Sequence, residues 1–200
     1  MITAREVSYG LFGAWRLAHL DPRGMQYFDT TIEGFWRSFW AAAIAAPAFA
    51  LMVALKLSVR TFEVDLLRFV MVEAIGYVIL WTAFPLAAWY LLLALGRANR
   101  YPGYIVAYNW ATVLQFVVTL PIAALIAANG LPTPITAFLR LAILAALLYY
   151  QYFVARTALE VDMPIAAGLV LTDLVLSVLR DSVVLVLELP SGVQPAAAFG

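Results

Sequence analysis

Seven side chains that can carry charge or trade hydrogen bonds lie inside otherwise apolar stretches: Glu73, Asn109, Thr112, Gln115, Arg140, Asp173 and Arg180. An ionisable group at the centre of a bilayer costs about 2.5–3.5 kcal/mol on insertion scales, so each one needs a partner or a water-filled cavity. Asn109, Thr112 and Gln115 recur at helical spacing and, with Thr119, mark one face of a helix. Such a strip has two uses. It can line a small polar pathway, or it can bond to a neighbouring helix, at about 0.6–2 kcal/mol per bond. Asp173 falls at a depth close to that of Gln115, and a Gln115–Asp173 hydrogen bond would satisfy both. Glu73, Arg140 and Arg180 fall toward the outer end of their segments. A Glu73–Arg140 or Glu73–Arg180 ion pair suits that placement, and a structural role is the plainer one for it.

Other chemistry lacks its residues. The chain has no cysteine and one histidine, His19, so a thiol nucleophile, a Cys-ligated metal and a His cluster are all excluded. Gly10-Leu-Phe-Gly13 has no strand before it and no Lys-Ser/Thr after it, so it is not a phosphate loop. Asp173 has no second aspartate at its depth, since Asp181 is about two helical turns away. The expectation is a protein that is not an enzyme and carries no cofactor or metal. A net charge of zero gives no case for binding nucleic acid.

The elements that must position these residues are apolar helices. Of 200 residues, 65% are hydrophobic and 12% charged, and mean hydropathy is +0.93. Soluble domains hold about 45–50% apolar and about 25% charged residues, so lipid is the solvent that fits. Five segments have the length of a span, at about 35–57, 69–95, 104–128, 134–156 and 164–187. The last is interrupted by Asp173, Arg180 and Asp181. Residues 1–34 are the most polar part and hold no signal-peptide core. Within them Ser8 to Leu20 reads as an amphipathic helix lying in the interface, with Leu11, Phe12, Trp15 and Ala18 as its apolar face. Lys56 to Arg68 and Asn129 to Pro134 read as connections, Tyr101-Pro-Gly-Tyr104 as a turn entering the third span, and 190–200 as a tail. Pro85 predicts a kink, with Thr82 available to the carbonyl it frees. Aromatic clusters at Phe35–Trp40 and Tyr149–Phe153 mark interfacial belts.

Placing the N-terminus inside puts Arg5, Arg16, Arg23, Arg37, Arg97, Arg100 and Arg156 on the cytoplasmic side. Lys56, Arg60 and Arg68 then lie outside, and this bias favours that orientation. Phe84-Pro85, the basic loop Arg97–Arg100, Tyr101-Pro-Gly-Tyr104, Ala107-Tyr-Asn109-Trp110 and Phe153-Val-Ala-Arg-Thr-Ala158 come in an order that resembles the bacterial branch of the Yip1-like membrane proteins. The resemblance covers about residues 35–185. It implies five helices, a cytoplasmic N-terminus and an outward C-terminus in a bacterial inner membrane. Eukaryotic relatives are associated with vesicle trafficking and small GTPases. Their Asp-Leu-Tyr-Gly-Pro word is replaced here by Asp29-Thr-Thr-Ile-Glu-Gly34, so the GTPase role is not carried over. The expectation is an all-α polytopic bundle of five spans that organises or assembles membrane components, or serves as an accessory subunit. Its partners would be the bilayer and other membrane proteins or a second copy. The alternative is a small transporter or channel component using the polar face of Asn109, Gln115 and Asp173.

Overall fold

The computed structural model describes residues 2–58, 65–128 and 132–188. Their regular structure is all helical. It comprises α1 (Ala4–Ala18), α2 (Ile32–Ser38), α3 (Trp40–Ser58), α4 (Leu66–Ala94), α5 (Tyr101–Ala127), α6 (Thr133–Leu159) and α7 (Met163–Glu188), with 3-10 turns at Pro22–Tyr27 and Ala98–Arg100. Four stretches are long and apolar enough to cross a membrane: Ile32–Ser58, Leu66–Ala94, Ala98–Ala127 and Thr133–Leu159. The fifth expected segment is one continuous helix, α7, but it is not among those four.

Local chemistry explains where the boundaries differ from expectation. The Asp65 carboxylate accepts from the backbone N–H groups of Leu67 and Arg68, so α4 begins at Leu66 and Arg68 is helical rather than part of a loop. Lys56 likewise lies in the last turn of α3. Pro102 sits in the first turn of α5, where its missing N–H costs nothing. Tyr101–Tyr104 is therefore the opening of the helix and not a turn before it. Pro47, Pro85 and Pro121 lie inside α3, α4 and α5. Thr82 donates to the Val78 carbonyl at 2.8 Å and not to the Trp81 carbonyl that Pro85 leaves free. Residues 59–64 and 129–131, and the expected tail, lie outside the described residues.

Helix α5 is the hub. It packs against α1, α2, α3, α4 and α6, while α7 packs against α4 and α6. Ten consecutive α5 residues, Tyr104 to Val113, are buried. Where α3 meets it, Ala41 and Ala45 are almost wholly covered, as expected when backbones must approach closely in lipid.

Helix α1 forms over Ala4–Ala18, and it buries a face other than the apolar one expected to meet the bilayer interface. Gly10, Gly13, Ala14 and Leu17 pack into the bundle, while Phe12 and Trp15 face outward, 43% and 49% exposed. Backbone proximity is the reason. A Cβ on Gly10 would overlap the indole of Trp110, and one on Gly13 would stand 2.9 Å from the Gly24 carbonyl oxygen. Only side chains this small let α1 reach α5 and the Pro22–Tyr27 turn. Thr3 and Glu6 cap its start reciprocally, and Tyr150 of α6 donates to the Ala14 carbonyl at 2.8 Å.

Candidate functional site

The bundle is packed at the α1 end and open at the other. At the packed end the polar residues of α5 are held one by one. Asn109 Nδ2 donates to Ser38 Oγ at 2.8 Å, and Ser38 in turn donates to the Phe35 carbonyl at 2.7 Å. Tyr108 Oη donates to Asp173 Oδ1 at 2.9 Å, and Thr112 bonds back to the Tyr108 carbonyl at 2.9 Å. The expected Gln115–Asp173 bond does not form. Register explains this. At 1.5 Å per residue Tyr108 lies about 11 Å into α5 and Gln115 about 21 Å, while Asp173 lies about 15 Å into α7, which runs in the same direction as α5. The tyrosine's reach closes the smaller gap.

The same end carries an ionic girdle at the start of the first candidate span. Arg37 lies 2.7 Å from Glu6 Oε1 and 2.6 Å from Asp29 Oδ2, tying α2 to α1 and to the turn between them. Arg16 pairs with Asp21. The Arg16 guanidinium holds the Asp21 carboxyl below its ordinary range, the Thr31 hydroxyl does the same for Asp29, and the Thr3 backbone N–H does it for Glu6.

At the open end α3 to α7 surround a cavity of about 600 Å³, lined by apolar side chains such as Phe49, Met52 and Phe116 and by Lys56, Glu73, Gln115 and Arg180. Lys56 Nζ lies 2.5 Å from Glu73 Oε1 and 3.0 Å from Glu188 Oε2. The Glu188 side chain is fully covered and that of Glu73 is 11% exposed. Neither expected partner of Glu73 is its partner here. Arg180 pairs with its neighbour Asp181 at 2.6 Å. Arg140 makes no ion pair or hydrogen bond among the described residues and lines a second cavity of about 430 Å³ between α3, α5 and α6. Lys56, in the last turn of α3, lies between Glu73 of α4 and Glu188 at the end of α7 and bonds to both.

The predicted face is thus divided. Thr112, Gln115 and Thr119 line the large cavity, while Asn109 and Asp173 do not. Gln115 Nε2 is buried without a hydrogen-bond partner, and Thr119 bonds back to the Gln115 carbonyl at 2.8 Å. Leu80 and Arg180 border both the large cavity and the small recess holding Asp173. Ser38, Lys56, Tyr108 and Glu188 are the polar partners that sequence reasoning missed. For Lys56 no signal existed: it lies two residues from the end of α3 while Glu73 lies seven residues inside α4, so no symmetry about the connection pairs them. For Tyr108 the signal was its place two turns before Gln115 on the same face.

The cavity can hold an amphipathic guest and offer it an amide donor. Among the described residues, no three His, Cys, Asp or Glu side chains are placed to hold a metal ion. No protein-family model, no curated protein and no solved structure matches the chain.

Proposed function

We propose that this chain is a non-enzymatic integral membrane protein of the Yip1-like type its sequence resembles. It spans five times with its N-terminus in the cytoplasm of a bacterial cell, and it organises or assembles other membrane components or serves as their accessory subunit. The observation that carries this is the contrast between the two ends of the bundle. One end is packed around α5, and the other leaves about 600 Å³ open where α3 to α7 meet. Interiors that need no guest are close-packed. Here the lining is apolar and the charges are mostly spent on one another, which suits a guest that brings apolar surface of its own. Helix α7 is the fifth span on this reading. Its 26 residues reach about 39 Å, more than the roughly 30 Å of a hydrocarbon core, and it lies against two candidate spans. Tyr9, Phe12 and Trp15 of α1 then face the headgroup region.

A photocrosslinking residue placed at Phe116, inside the cavity, should give discrete adducts in native membranes, and one at outward-facing Val178 should give none. Equal labelling of both positions by a water-soluble reagent, without adducts, would overturn the proposal.

A second reading, a small transporter or channel component, is favoured by the unpartnered Gln115 amide at the cavity wall. Passage would require Tyr108 and Phe84, buried below the cavity, to move. Flux through proteoliposomes that disappears in Gln115→Leu, with stability unchanged, would select this reading over the first.

A further inference from the structure

We infer that the groove between α3, α5 and α6 binds one anionic phospholipid, with its phosphate on Arg140 and an acyl chain along Ile122, Ile126 and Leu144. This rests on those three helices being membrane spans. The groove holds about 430 Å³, and apart from Lys56, Thr119 and Arg140 every side chain lining it is apolar. Lys56 is committed to two carboxylates. Arg140 is the cation left over, since it has no partner among the described residues.

Depth fits a headgroup. Helix α6 has 27 residues, about 40 Å at 1.5 Å each, and so exceeds a hydrocarbon core of roughly 30 Å by about 10 Å. Arg140 lies seven residues in, about 11 Å from the helix start, which puts its Cα about 6 Å below the hydrocarbon boundary when the helix is centred. A long arginine stem runs up the groove from there and delivers its head to the phosphate layer. The planar guanidinium fork matches two phosphate oxygens, whereas a lysine would offer a point charge. A lipid whose net charge is negative neutralises Arg140. Phosphatidylcholine carries its own cation beside the phosphate and competes poorly.

The test uses the full chain in detergent with equal amounts of phosphatidylglycerol and phosphatidylcholine, and retained lipid is read by native mass spectrometry. Wild type should keep one phosphatidylglycerol in preference to phosphatidylcholine. Arg140→Gln should weaken that retention about tenfold or more, the loss expected for a charged hydrogen bond. Ala123→Phe, which fills the groove with the arginine left in place, should weaken it as well and carries the test where Arg140→Gln does not fold. Arg156→Gln, on the same helix at its opposite end, should change nothing. Equal retention of both lipids by wild type, full retention by Arg140→Gln and Ala123→Phe, or an equal loss in Arg156→Gln would each overturn the inference. Such a failure with the Phe116 adducts intact removes the lipid site alone. Loss of those adducts with lipid retention intact removes only the proposed function.

Discussion

Replacing Gly10 by alanine tests whether α1 belongs to the bundle or merely lies beside it. Two effects oppose each other. In a helix interior alanine is about 1 kcal/mol better than glycine, so propensity alone predicts a small gain. At Gly10, however, the new Cβ would fall on the indole of Trp110, with Nε1 only 2.7 Å away. Trp110 is 4% exposed and cannot swing aside. Overpacking costs about 1–3 kcal/mol, and overlap with a buried ring belongs in the upper part of that range, about 2–3 kcal/mol, so the clash outweighs the gain and the net loss is about 1–2 kcal/mol. For a chain of this size that is a fall in melting temperature of about 2–8 °C. The same change at Gly168 of α7, where an added Cβ meets nothing within 4 Å, isolates propensity and should not destabilise. The assay is thermal unfolding in detergent, with limited proteolysis of residues 1–34 reporting release of α1. Trp110→Leu in the Gly10→Ala background makes room for the methyl, so the double variant should lose at least about 1 kcal/mol less than the sum of the singles. A neutral Gly10→Ala, or strict additivity with Trp110→Leu, would refute the docking of α1 on α5.

Three further outcomes are expected. Lys56→Gln removes the ammonium that the covered carboxylates of Glu73 and Glu188 share. Breaking a buried pair costs about 3–5 kcal/mol, and because Lys56 is 40% exposed the loss should be nearer 1–3 kcal/mol, partly recovered in Lys56→Gln/Glu73→Gln. No recovery in that double variant would dissolve the pair. Tyr108→Phe should lower stability by about 1–2 kcal/mol by removing the donor to Asp173, while Gln115→Leu should stay within about 0.5 kcal/mol because its amide has no partner to lose. Equal losses from the two would contradict that assignment, and equilibrium unfolding measures both. Acid should loosen the α1 end first. The carboxyls of Glu6, Asp21 and Asp29 titrate lower when folded than when unfolded, so their contribution is complete above about pH 4–5 and disappears as pH falls through their depressed folded values. Proteolytic release of residues 1–34 should therefore rise between pH 5 and about pH 2, and a flat profile over that range would show that the girdle holds nothing.

Helices and their order were legible in the chain because a run of some 20 apolar residues is a local property that no neighbour can cancel. The same holds for the starts of α4 and α5: Asp65 accepts from N–H groups within a turn of itself, and Pro102 lacks an N–H that a first turn does not use, so both starts are local properties. That the third apolar segment turns a face to its neighbours was also legible, since Asn109, Thr112 and Gln115 have no use on a lipid-facing surface. What only the tertiary structure decided is which polar group meets which. A shift of one residue turns a helix by about 100° and slides it 1.5 Å. Depth estimates good to a turn therefore could not choose between Gln115 and Tyr108 for Asp173, or between Lys56 and two arginines for Glu73. The buried face of α1 was hidden for another reason. Apolar periodicity marks Phe12 and Trp15, but contact with α5 is made by glycines, which hydropathy barely registers. Only the distance between two backbones reveals that the missing side chains are what let α1 dock.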